Sequence, residues 1–191
     1  MRVKKLSRTY LGILVLCVLL AGLVTAAAPA MAGTTIVVEN PGINAGYWSR
    51  ITSGQYAQTF TTGPSAAYAN AVEVPLQVWQ GATIHVSITE ATNGLPDDAA
   101  VLASGSGVCN WYNTLGWFRI SLGSGTPLAA NTKYALVVTA VSATGWAEWS
   151  GTWTSGYTDG NMCVYSGSSW QANTQDPNGD YFFKVLNIVP D

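Results

Sequence analysis

An all-β chain folded as a two-sheet antiparallel sandwich of about eight to ten strands is what this sequence predicts, on three observations. Apolar residues alternate with polar ones at period two. Breakers rich in glycine, proline and asparagine interrupt that alternation at short intervals. An apolar leader with export features precedes it all. Period two marks strands with one buried face, because successive side chains of a strand point to opposite sides.

The leader comes first. Residues 1–10 carry Arg2, Lys4, Lys5 and Arg8 and no acid, and residues 11–28 are apolar apart from Thr25. Ala30-Met31-Ala32 then offers small residues at the two positions an export peptidase reads. This pattern predicts a cleaved signal helix over residues 1–32, with Gly33 as the first mature residue. The alternative is a retained membrane helix, and the 18-residue run is at the short limit for that. Cys17 lies mid-run with no small residue before it, which argues against a lipid anchor. The expectation is a secreted protein without membrane insertion once the leader is gone. Residues 33–191 then form a single β-sandwich domain, with no linker long enough to divide it.

The mature strands follow in order. They are predicted at 34–39, 55–61, 70–79, 82–91, 99–104, 115–122, 132–141, 144–150, 161–166 and 180–188. Ile84, Val86 and Ile88 share a face opposite His85, Ser87 and Thr89. Phe118, Ile120 and Leu122 alternate with Arg119 and Ser121, and Tyr134, Leu136 and Val138 with Ala135, Val137 and Thr139. Turn chemistry separates the runs: Pro41-Gly42, Gly63-Pro64, Asn93-Gly94-Leu95-Pro96, Gly123-Ser124-Gly125 and Asp176-Pro177-Asn178-Gly179.

Charge narrows the partner. Of 8 Lys and Arg, four lie in the leader, leaving Arg50, Arg119, Lys133 and Lys184 against all 10 acids, a net −6. Nucleic acid needs a basic patch and is excluded as a partner. An anionic membrane surface is excluded for the same reason. All eight Trp are mature: Trp48, Trp79, Trp111, Trp117, Trp146, Trp149, Trp153 and Trp170. Many aromatics on a polar, weakly charged chain suit contact with neutral, hydroxyl-rich polymers.

Cys109 and Cys163 are the two mature cysteines. Outside the cytosol an even pair reads as a disulfide, here closing a loop worth roughly 4 kcal/mol on the chain-entropy model. Two buried free thiols are the alternative.

Several segments carry a resemblance. Gln58-Thr59-Phe60-Thr61-Thr62-Gly63 resembles the early "Q-x-F-T" strand of exported bacterial β-sandwich modules of the choice-of-anchor type and their carbohydrate-binding-like jelly-roll relatives. Val86-Ser87-Ile88-Thr89 through Asn93-Gly94-Leu95-Pro96-Asp97 to Val101-Leu102-Ala103 is similar to their strand, turn and strand. Residues 127–138, with Thr132, Tyr134, Leu136 and Val137, resemble their "L-x-x-x-T-x-Y-x-L-V" strand. Gly160, Tyr165 to Trp170, and Asp180 to Val185 are similar to the closing hairpin and last strand. The resemblance covers about residues 55–186. It implies a jelly-roll-like sandwich with an exported accessory role that binds or spaces rather than catalyses.

Candidate contacts are aromatic. Trp146, Trp149, Trp153 and Tyr157 form one cluster, because a flat ring covers the apolar C–H face of a sugar while polar neighbours take its hydroxyls. Trp146 shares parity with Glu148, and Trp149 with Trp153, so the set splits between faces; either Trp146 or Trp149 could instead plug the core. Trp111 and Tyr112, with Trp117 beyond, form a second cluster in a loop over 110–116. That loop either extends the aromatic surface or closes as a lid on the sandwich. Asp176, Asn178 and Asp180 alternate oxygen ligands suited to a structural calcium, or to Asx caps before the last strand. No cofactor is otherwise expected. His85 is the lone histidine, and no G-x-S-x-G elbow is present, so the chain is not expected to be an enzyme. Two functions remain. One is non-catalytic binding of a neutral polysaccharide or cell-surface glycan by exposed aromatics. The other is a structural or adhesive surface protein that self-associates through edge strands such as Thr34-Thr35-Ile36-Val37-Val38.

Overall fold

The computed structural model describes residues 33–189, apart from 44, 143–144, 155–156 and 175–178. The leader, and with it the predicted signal helix, lies outside the described residues, as do Asp176 and Asn178. Among the described residues there is no helix. Thirteen strands form two antiparallel sheets packed face to face.

The strands are β1 (Gly33–Asn40), β2 (Gly46–Arg50), β3 (Tyr56–Thr61), β4 (Ala67–Trp79), β5 (Ala82–Thr92), β6 (Leu95–Cys109) and β7 (Thr114–Leu128). They continue with β8 (Lys133–Val141), β9 (Trp146–Thr152), β10 (Met162–Tyr165), β11 (Trp170–Ala172), β12 (Asp180–Tyr181) and β13 (Phe183–Val189). The first sheet runs β1-β13-β4-β9-β12, with β7 on the other side of β4 and β2 on the other side of β9. The second runs β11-β10-β3-β8-β5-β6.

Each predicted strand has a counterpart, and the differences have physical reasons. β2 and β11 were not foreseen, because five and three residues are too few to show a period. The predicted strand 180–188 is two strands, β12 and β13, split at Phe182. Gly123-Ser124-Gly125 does not end a strand. It makes a bulge inside the 15-residue β7, where the register jumps from Ala69↔Thr126 to Ala71↔Ser121. Both glycines have positive φ, and a Cβ on Gly125 would meet the Ala69 carbonyl oxygen at 2.5 Å, so only glycine fits. Asn93 and Gly94 form the expected two-residue hairpin turn, with φ of 55° and 77°.

The core lies between the sheets. Val72, Val74, Leu76 and Val78 of β4 and Ala147 and Trp149 of β9 face Ile84, Val86 and Ile88 of β5 and Leu136 and Val138 of β8. Alternation therefore sends Glu73, Pro75, Gln77 and Trp79 to the outer face of the first sheet, and His85 and Ser87 to the outer face of the second.

The expected disulfide is corrected. Cys109 and Cys163 are both free and buried. Cys163 on β10 and Cys109 on β6 are four strands apart in the second sheet. That is roughly 19 Å by strand spacing, against the ~7 Å limit between bridged Cα atoms. They also face opposite ways: Cys109 joins the inter-sheet core, whereas Cys163 packs with Ala57, Val137 and Trp170 on the outer side.

Candidate functional site

Residues from six strands and one loop meet on the outer face of the first sheet. Register places Trp79 of β4 directly across from Trp146 of β9, and Gln77 across from Glu148. Glu148 in turn stands across from Arg50 of β2, and Ser150 across from Trp48. On the other side of β4, Pro75 faces Trp117 of β7, and Glu73 faces Arg119.

The aromatic rings form a stack. Trp79 and Trp146 are near-parallel, 14° apart, with centroids 6.1 Å apart. Tyr112 also packs on Trp79, tilted by 39° with centroids 4.7 Å apart, and the Arg50 guanidinium lies 5.5 Å from the Trp146 ring. The loop that carries Tyr112 is fastened to β4. Asn113, at φ 48°, donates its N–H to the Val78 carbonyl at 2.7 Å, and Gln77 Nε2 donates to Asn113 Oδ1 at 2.9 Å. Asparagine accepts this left-handed conformation more readily than most residues. Tyr112 is thereby held as the outermost ring of the stack, 61% exposed.

Ion pairs balance the same face. Glu73 binds Arg119 at 2.6 Å and Lys184 of β13 at 3.4 Å, and Lys184 lies 4.3 Å over the Trp117 ring. Arg50 and Glu148 are 3.7 Å apart. With Glu39, which pairs in register with Lys184, three cations meet three carboxylates. This face is formally neutral, so the net −6 of residues 33–191 resides elsewhere.

The other predicted contacts disperse. Trp149 does not present a ring to solvent: it is fully buried, stacks on Tyr181 at 4.1 Å, and donates its Nε1–H to the Phe182 carbonyl at 2.9 Å. Its odd position on β9 sends it inward, as the even position sends Trp146 outward. Trp153 is 50% exposed beyond the end of β9, where it meets Tyr47 edge to face and donates Nε1–H to the Gly46 carbonyl at 3.0 Å. Tyr157 packs on the core against Phe183, and burial pushes its phenol above the usual range. Trp111 packs on the core edge-on to Phe118, in the manner of a lid. Asp180 is buried, and its Oδ1 accepts a hydrogen bond from Gln58 Nε2 at 2.8 Å. Among the described residues no three His, Cys, Asp or Glu side chains gather as metal ligands.

The 110–116 loop and Trp146 are brought together by Trp79, whose ring meets both Tyr112 and Trp146. Trp48 and Trp79 were not among the candidate contacts, whereas Trp117, grouped with Trp111 and Tyr112, does lie on this face. Trp79 and Trp117 were within reach of the parity rule, since each has the parity opposite to the apolar run of its strand. Trp48 was not, because it lies on the short strand β2. No protein-family model and no curated protein matches the chain.

Proposed function

We propose that this is a secreted, non-catalytic module that binds a neutral carbohydrate or cell-surface glycan through exposed aromatic rings. The observation that carries this reading is the charge-balanced aromatic face of the first sheet, with the stack of Arg50, Trp146, Trp79 and Tyr112. Tyr112 offers a bare ring to apolar sugar faces, and the half-buried Trp79 and Trp146 back it. Gln77, Asn113 and Glu148 beside them supply hydrogen-bonding groups. A neutral face on an acidic molecule favours an uncharged partner over nucleic acid. Secretion is inferred from the leader alone. No cofactor is invoked.

The test is retention on insoluble cellulose, xylan and chitin. Tyr112→Ala removes an exposed ring and leaves the core untouched, while Trp79→Ala with Trp146→Ala dismantles the stack. Retention should fall about tenfold or more in the double variant, and less in Tyr112→Ala. It should change little between about 50 and 500 mM salt, because no long-range charge attraction drives it. Unchanged retention in the double variant would remove the aromatic face as the contact.

A second reading is favoured by one observation. β1 ends the first sheet, with Ile36 at 48% exposure, so its outer edge is open to another strand among the described residues. Self-association by strand addition would then make this an adhesive or structural protein. Concentration-dependent assembly without sugar, abolished by Ile36→Lys, supports that reading; a monomer at all concentrations counts against it.

A further inference from the structure

The opposite face of the sandwich is built on another principle. In the second sheet, register aligns Ser106, His85 and Thr139 across β6, β5 and β8, and aligns Ser104, Ser87 and Val137 in the adjacent outward-facing row. These side chains are short where the outer face of the first sheet has indoles. The result is a trough of about 440 Å³, completed by Gln55 and Asp98. That volume lies in the range of small-ligand sites, roughly 300–1,000 Å³. The Asp98 carboxylate is fixed by a 2.8 Å hydrogen bond from Trp170 Nε1 to Oδ1. On the far side of the His85 row, register aligns Val108, Thr83 and Val141, and both valines are more than 60% exposed.

Among the described residues, the side chains of Gln55, His85, Ser87, Ser104, Ser106 and Thr139 make no hydrogen bond to the rest of the chain. Hydroxyl, amide and neutral imidazole groups can each both donate and accept. The lining contains no lysine or arginine and a single carboxylate, so an anion finds no permanent counter-charge. We infer that this trough is a second binding site, which takes a short neutral polyhydroxyl chain such as an oligosaccharide. The hydroxyl rows hydrogen-bond it, and the exposed valines meet its C–H faces. The site shares no residue with the aromatic face, and each can stand or fall alone.

The test is calorimetric titration of the full chain with cellotetraose, mannotetraose, maltotetraose and chitotetraose. At least one should bind. Ser87→Val with Ser106→Val removes two hydroxyls while suiting a strand, and should weaken that binding about tenfold or more. Trp79→Ala with Trp146→Ala should leave in place the component of binding that the valine pair removes. If the valine pair lowers the unfolding temperature, His85→Phe at an exposed position obstructs the trough and gives the same readout. Failure of all four sugars to bind at about 10 mM overturns the inference. So does binding that survives the trough variants, or that is lost only with Trp79 and Trp146. Loss of retention on insoluble polysaccharide in the tryptophan variant, with tetrasaccharide binding intact, would establish two separate sites.

Discussion

Trp146 and Trp149 sit three positions apart on β9 and have opposite fates. Trp149 fills the core, stacked on Tyr181, so Trp149→Ala should destabilise the fold by about 3–5 kcal/mol in denaturant unfolding. Trp146 lies on the outer face, and Trp146→Ala should cost about 1 kcal/mol or less while acting on retention. Ser150, beside them, has a fully buried Oγ with no hydrogen-bond partner. A buried hydroxyl left unsatisfied is a cost, so Ser150→Ala should stabilise by about 1 kcal/mol. A loss of stability in that variant would mean that the hydroxyl is engaged. Parity was readable from the sequence for Ile84, Val86 and Ile88, and for Trp146 with Glu148. Which parity faces inward on β9 was not, because Ala147 and Trp149 give a weak apolar contrast against Trp146.

Strand identity was legible wherever a run was long enough to display its period, as in β4, β5, β7 and β8. Pairing was not. Tyr112 meets Trp79 because Asn113 turns the loop back onto β4, and no local pattern encodes that return. β4 itself changes partner, from β13 at Ala71–Glu73 to β9 at Leu76–Trp79. Pro75 falls at the junction, an interrupted edge of the kind that tolerates proline within a strand. The cysteines teach the same lesson: spacing allowed a bridge, and strand order forbids it. Non-reducing alkylation and mass analysis should therefore find two modifiable thiols after unfolding. Reductant should leave the unfolding temperature unchanged, and an altered temperature would contradict the strand order described above. In the native state Cys163 should resist alkylation at mildly alkaline pH, since burial pushes its thiol up to about 12.

Across the molecule as a whole, burial keeps two thiols and three phenols neutral beyond their usual range. Burial raises Cys109, Cys163, Tyr56, Tyr157 and Tyr181 above their ordinary values. The unfolded chain releases those protons first, so stability is full below about pH 8 and falls as pH rises through the thiol and phenol ranges. The unfolding temperature should decline steeply above about pH 10; a flat profile there would contradict the burial of these groups. Fold class was readable at this scale because alternation and breakers recur along the whole chain. The two outer faces were not, because each exists only once distant strands lie side by side. The arrangement of basic groups has a practical consequence. Downstream of residue 32 there are two lysines, and Lys184 is engaged with Glu73 and Trp117. Lys133, exposed at the start of β8 in the other sheet, is the lysine side chain left open to acylating reagents. Biotin or a sensor chip attached there would hold the protein by its hydroxyl-bearing side and leave the indoles turned toward whatever flows past.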